Sequence, residues 1–360
     1  MQGGGALGAF QLGVYQALHE AGMEPDWVIG TSIGAINASI IAGNSPQRRM
    51  ERLEEFWSRV TTQGWHASLA EAVRSWSPDL GRSIQNTGVM LAGLPSFFVP
   101  QWPVWQNPRL HESVEQAAYY STEPLRQTLG ELVDLDLLNE GSTRLTVGAV
   151  NLRSGQMRYF DTENETLRID HVMASGALPP AFGAVRIDGD VYWDGGLYSN
   201  TPIEVVLDDP NRRSSLIFAT HMWQAQGIEP DNVWDIQARL KDIQFASRAD
   251  SHIQRQRQLH CTREGLRQLI AAWPPKTPFP PHLQHLCETP PDPVMHTVKI
   301  KARRLSDEDH TKDIDFSART IAERRSNGYE ATREAIRNKP WLRGDPSHGA
   351  LHVHEFPSVA

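Results

Sequence analysis

The stretch Asp26-Trp27-Val28-Ile29-Gly30-Thr31-Ser32-Ile33-Gly34-Ala35-Ile36-Asn37-Ala38-Ser39-Ile40-Ile41-Ala42 runs a short apolar segment into a Gly-x-Ser-x-Gly turn, and then into a helical pattern. A serine between glycines at a strand-to-helix junction is the setting of a nucleophile elbow, in which the hydroxyl stands out at the head of a sheet. Gly30 and Gly34 suit that bend because a Cβ would crowd it. The helix that follows brings backbone N–H groups and a positive dipole end beside any oxyanion formed there. Ser32 is therefore the candidate nucleophile.

Upstream, Gly3-Gly4-Gly5-Ala6-Leu7-Gly8 precedes the apolar helical pattern from Ala9 to Leu18. Consecutive glycines let the backbone aim several N–H groups at one point, and such a nest holds an anion. Around a tetrahedral acyl intermediate, each well-placed donor is worth roughly 3–4 kcal/mol of barrier. The same letters fit the Gly-x-Gly-x-x-Gly dinucleotide fingerprint, with Glu24 and Asp26 near the place of a ribose-binding acid. A nucleotide-binding regulatory module is thus an alternative of a different class. Downstream, Gly189 marks a turn between short strands, and Asp194-Gly195-Gly196 ends the second of them. A carboxylate there can be aimed at the serine, with the two glycines admitting another backbone.

These motifs, in this order, resemble the patatin-like phospholipase family. The resemblance implies that Gly3, Gly4 and Gly5 form an oxyanion loop, that Ser32 is the nucleophile and that Asp194 is its only partner. It extends through the strand pair Leu145–Leu152 and Met157–Phe160, and through the loop Ala174-Ser175-Gly176-Ala177-Leu178-Pro179. The region after about residue 225 resembles the extra C-terminal region of some bacterial members. Two departures stand out. The family shows a full apolar strand before the glycines, where this sequence has Met1 and Gln2, so an upstream strand is expected. Many members carry Lys or Arg where this chain has Leu7.

The activity implied is that of a lipid acyl hydrolase of the phospholipase A or lysophospholipase type, a serine esterase forming an acyl-enzyme. A short-chain or hydroxyacyl ester hydrolase, or an acyltransferase, on the same site is the narrower alternative. An Asp base has a reference pKa near 3.9 and accepts a proton only as the serine attacks, helped by a desolvated pocket. In the Ser, acid, His order of α/β-hydrolases, His221 is the rival base, and His171 a second. No cofactor is expected, and no His or Cys pair has metal-ligand spacing.

Strands alternate with helices over residues 1–50 and 142–222, so the fold class is α/β, with a mostly parallel central sheet covered by helices on both faces. The catalytic domain is read as residues 1–222. Residues 51–141 interrupt it as a helical and aromatic cap. Met50, Leu53, Phe56, Trp57 and Val60 fall at helical spacing, and residues 125–140 read as a second helical pair. Between them the run Met90–Trp105 is rich in aromatics and Pro, suited to an acyl pocket or to lipid contact. Residues 223–345 form the C-terminal extension. It opens with a charge-mixed helix near 233–272, whose Arg239, Lys241, Arg248 and Arg255 could meet anionic head groups. Trp273–Pro281 is a stiff Pro-rich linker, a strand lies near 294–300, a helix runs from Thr320 to Arg337, and residues 346–360 read as a flexible tail.

The chain has 360 residues, 39% of them hydrophobic, and a net charge of −8, which disfavours general nucleic-acid binding. Mean hydropathy is −0.45, and no apolar run approaches the roughly 20 residues of a spanning helix. No signal peptide is evident. The two cysteines, Cys261 and Cys287, make no disulfide framework. A cytoplasmic address fits, with peripheral contact to a membrane left open. The expected partner is a lipid or acyl-ester substrate.

Overall fold

Strand β4 (Arg144–Asn151), buried from Leu145 to Val150, is the axis of the central sheet. Its residues 144–148 pair in parallel with β1 (Trp27–Thr31). Its residues 146–150 pair antiparallel with β5 (Met157–Asp161) on the opposite edge. Ala149, Val150 and Asn151 pair with β7 (Asp190–Asp194). Since Ala149 and Val150 hold β5 as well, β7 takes up the edge where β1 stops. Strand β6 (Val185–Ile187) extends the sheet from β7. The fold is α/β, as expected, but the central sheet is mixed rather than mostly parallel. The reason is local. Only a few residues separate β4 from β5, and Asp188-Gly189, both with positive φ, turns β6 into β7. Connections that short can join only antiparallel neighbours.

This computed structural model describes residues 1–62, 65–74, 76–109, 113–246, 248–274, 277–284, 293–306, 308–342 and 351–357. Helix α1 (Ala9–Glu20) follows the glycine loop, and α2 (Ile33–Ala42), buried at every residue, follows β1. Helix α3 (Pro46–Val60) buries Leu53, Phe56, Trp57 and Val60 at the expected spacing. The segment expected to form a cap continues with α4 (Trp65–Arg74), α5 (Pro78–Ala92), the short strands β2 (Val99–Pro100) and β3 (Tyr120–Ser121), and α6 (Trp102–Gln106) between them. Helices α7 (Glu123–Leu132) and α8 (Leu135–Glu140) close it, and α9 (Ile169–Ser175) packs on the sheet beside β4.

A second sheet, parallel throughout, orders β8 (Ser215–His221), β9 (Met295–Lys301) and β10 (Leu351–Phe356). The expected flexible tail therefore carries a strand. It is held because Leu351 packs with Ile253 and Met295, and Glu355 meets Lys299 and Lys301. The helix expected over 233–272 is two, α11 (Val233–Phe245) and α12 (Ala249–Ala271), with Ala246 extended at the break. Short helix α10 (Glu204–Leu207) packs on α12.

Helix α13 (Ala318–Asn338) lies against α1, and Gly13 and Gly328 mark the closest approach. A Cβ on Gly13 would stand 1.9 Å from the Arg325 carbonyl oxygen. Phe316, Ile321 and Ala335 thereby join the same core as Phe10, Ile36 and Trp57. Between β1 and β8, the Met1 ammonium donates to the Ile29 carbonyl at 2.6 Å, and the Gln2 amide to Thr220 Oγ1 at 3.1 Å. Beyond these residues the two strands flank a cavity of about 650 Å³.

Candidate active site

Ser32 links β1 to α2 as the N-cap of α2, with φ 56° and ψ −126°, a backbone conformation rare for a residue with a side chain. The sharp bend is possible because its flanks are bare. A Cβ on Gly30 would lie 2.2 Å from the Gly34 carbonyl oxygen, and one on Gly34 2.4 Å from that of Met1. The Ser32 amide donates to Ser175 Oγ at 3.0 Å, and Ser175 Oγ donates onward to the Gly148 carbonyl at 2.6 Å.

The register of β4 brings Asp194 to the same place. Thr31 pairs with Gly148, and Asp194 pairs with the next residue, Ala149. Residues 162 apart in the chain thus become neighbours through one strand. Asp194 is 2% exposed. Its carboxylate accepts the Gly196 amide at 2.7 Å, and Asp194 lines the same cavity as Ser32. Burial pushes its pKa up to about 7, against the opposing pull of Ser32 and the Gly196 amide. Gly195 crosses β4 so closely that a Cβ would stand 2.4 Å from the Gly148 carbonyl oxygen.

The glycine loop reaches this point from the other side. The Gly3 amide donates to the Asn200 carbonyl at 3.1 Å. The Gly3 carbonyl accepts Asn200 Nδ2 at 3.1 Å and Trp223 Nε1 at 2.8 Å. The Gly4 and Gly5 amides donate to no acceptor among the described residues, and both residues line the cavity at Ser32 and Asp194. Gly3 thus anchors the loop, and two of the three expected donors are open. Asn200 and Trp223 went unnoticed in the sequence. The signal for Asn200 was its place six residues after Asp194, while Trp223 carried none.

Neither rival histidine lines that cavity. His171 Nδ1 accepts the Arg168 amide at 2.8 Å, and its ring packs on Phe160. His221 is held at the end of β8, where burial lowers its pKa to about 4. Cys261 is exposed on α12, and Cys287 lies outside the described residues. Among the described residues no group of three or more His, Cys, Asp or Glu could hold a metal ion, and no helix is long and apolar enough to cross a membrane.

Residues 1–207 match the family model of patatin-like phospholipases. The chain belongs to the patatin-like phospholipase family. A second model, DUF3734, described as patatin phospholipase, matches residues 243–348. Of solved structures, VipD from Legionella pneumophila is similar at 16% identity and a TM-score of 0.40, over 94% of this chain. This chain spans 66% of that one. No curated protein matches.

In this patatin-like phospholipase the cavity beside Ser32 holds about 200 Å³. Gly3 to Gly5, Ser32, Asp194 and Asn200 form its polar end, and Ile36, Leu125, Leu178, Phe182 and Phe316 are among its apolar walls. From the aromatic run of the cap, Met90, Phe97 and Phe98 reach it. Trp105 instead packs on Tyr119 and Tyr120, and Trp102 is exposed.

Proposed function

We propose that this protein is a lipid acyl hydrolase that works through Ser32 and Asp194 and passes through an acyl-enzyme. The observation that carries the reading is that the elbow serine and a buried carboxylate line one cavity, in which no imidazole of the described residues takes part. Ser32 Oγ attacks the ester carbonyl carbon while its proton passes to Asp194. A carboxylate whose pKa is near 7 suits this step at neutral pH far better than one near 4. The oxygen that becomes negative is met by the Gly4 and Gly5 amides, together with the N-terminus of α2.

Collapse of the intermediate breaks the bond to the leaving alcohol, which takes the proton back from Asp194. Water then attacks the acyl-enzyme, gives its proton to Asp194, and the fatty acid departs as Ser32 is reprotonated. With no imidazolium to protonate a poor leaving group, esters are the substrates and amides are not. The apolar walls favour a hydrocarbon acyl chain over a polar one.

A fluorophosphonate probe tests the assignment. Ser32 should be labelled, and labelling should vanish in Ser32→Ala. Equal labelling of the variant would end the reading. Esters graded by acyl length then separate the narrower alternatives: turnover rising with chain length supports lipid substrates, and turnover confined to acetyl and butyryl esters supports a short-chain esterase.

A further inference from the structure

Helix α11 is turned inside out. Its charges face the protein: Lys241 Nζ pairs with Asp313 at 2.7 Å, Asp242 pairs with Lys312 at 2.7 Å, and Arg239 donates to the carbonyls of Gln224 and Ala225. Its aliphatic residues face out. Val233, Ile236, Leu240 and Ile243, spaced as one helical stripe, are 53 to 65% exposed. The last residue of the same helix, Phe245, lines the catalytic cavity, and its carbonyl accepts Asn200 Nδ2 at 2.8 Å. On the cap, α5 repeats the arrangement: Met90 lines the cavity and is itself exposed, as is Leu91.

We propose that the outward stripe of α11 docks this protein on a lipid–water interface, with Met90 and Leu91 as a second contact. An acyl substrate packed in an aggregate has to cross from hydrocarbon into the cavity without exposing its chain to water. Elements that carry apolar groups on the outside and end in the cavity wall provide that path. A second copy of the chain fits less well. One face of a 13-residue helix offers a strip about 20 Å long and 10 Å wide, well under the roughly 800 Å² per partner of a stable interface. Driven by apolar contact and with the charges of α11 engaged inward, the docking does not require anionic head groups. For its substrate the proposal rests on the hydrolase reading, but docking is measured without turnover.

The test is sedimentation of the full chain with phosphatidylcholine vesicles. Wild type and Ser32→Ala should both pellet with the vesicles. The triple variant Ile236→Glu, Leu240→Glu, Ile243→Glu should lose at least tenfold in partitioning while keeping its far-ultraviolet circular dichroism and melting temperature. Gln237→Glu, an added charge at an exposed polar position of the same helix, should pellet like wild type. Wild type remaining in the supernatant, or the triple variant pelleting with it, would overturn the docking. So would a wild-type dimer, seen by analytical ultracentrifugation, that the triple variant dissolves. Vesicle hydrolysis persisting in Ser32→Ala would instead retire the serine mechanism and leave the docking result standing.

Discussion

Ser175 Oγ holds the backbone amide of Ser32 at 3.0 Å while donating to the Gly148 carbonyl at 2.6 Å. One buried hydroxyl therefore ties the elbow to β4, the strand on which β7 and its Asp194 are paired. Removing it leaves a donor and an acceptor without partners, each costing about 1–3 kcal/mol when buried. Ser175→Ala should lose about 2–6 kcal/mol of stability and lower kcat by roughly 10-fold or more, with little change in KM. Chemical denaturation and steady-state kinetics on one ester check both. A fall in stability with full kcat would show that Ser175 supports the fold alone.

The elevated pKa of Asp194 ties activity and stability to pH in opposite directions. As the proposed base, Asp194 works only when ionised, so kcat/KM should rise through about pH 7 and then level off. Between about pH 4 and 7 the native state holds a proton that the unfolded chain has lost, so stability falls as pH rises through this window. Asp194→Asn should abolish turnover. It should match wild type in stability at pH 4 and exceed it above pH 7 by up to about 4 kcal/mol. Melting curves of both proteins across that range provide the check.

Strain at the nucleophile is separable from its chemistry. With φ at 56°, Ser32 occupies a conformation that costs a residue with a Cβ about 1–3 kcal/mol. Ser32→Ala and Ser32→Gly should be equally inactive. The glycine variant should unfold at a higher denaturant midpoint, by about 1 kcal/mol once the added freedom of its unfolded chain is subtracted. Equal midpoints would mean that the bend is relaxed.

At the C-terminus, Leu351 is fully buried against Ile253 and Met295. Leu351→Ala should cost about 2–5 kcal/mol, as for a leucine in a packed core, where a frayed tail would show almost nothing. Glu355 on the same strand adds a pH signature. Although burial works against it, Lys299 and Lys301 lower its pKa to about 2. Its contribution should hold above about pH 4.5 and drain away as pH falls toward 2. Glu355→Gln should flatten that part of the profile.

What could be read from the sequence was set by local backbone demands. Gly30, Gly34 and Gly195 stand where another backbone passes within reach of an absent Cβ, and such positions announce themselves as glycines. The pattern of α3 and the Asp-Gly turn before β7 were equally local. The mixed character of the sheet was not, because which edge a hairpin joins depends on β4, which serves three partners. Strand β10 was hidden by His352 and His354, which interrupt its apolar residues, and its stability comes from pairing with a strand some fifty residues away. Helix α11 read as charged because composition does not say which way a charge points. Its cations meet Asp313 and backbone carbonyls on the inner side.

Main-chain pairing along β4, rather than any side chain of the cap, sets the distance between the hydroxyl and the carboxylate. The apolar walls of the cavity come from elsewhere: Met90 of α5, Phe97, Phe98 and Phe316. On the proposed hydrolase reading, selectivity can therefore drift as those parts are exchanged, while Ser32 and Asp194 stay fixed. A lineage built on such a scaffold changes what it accepts long before it changes what it does.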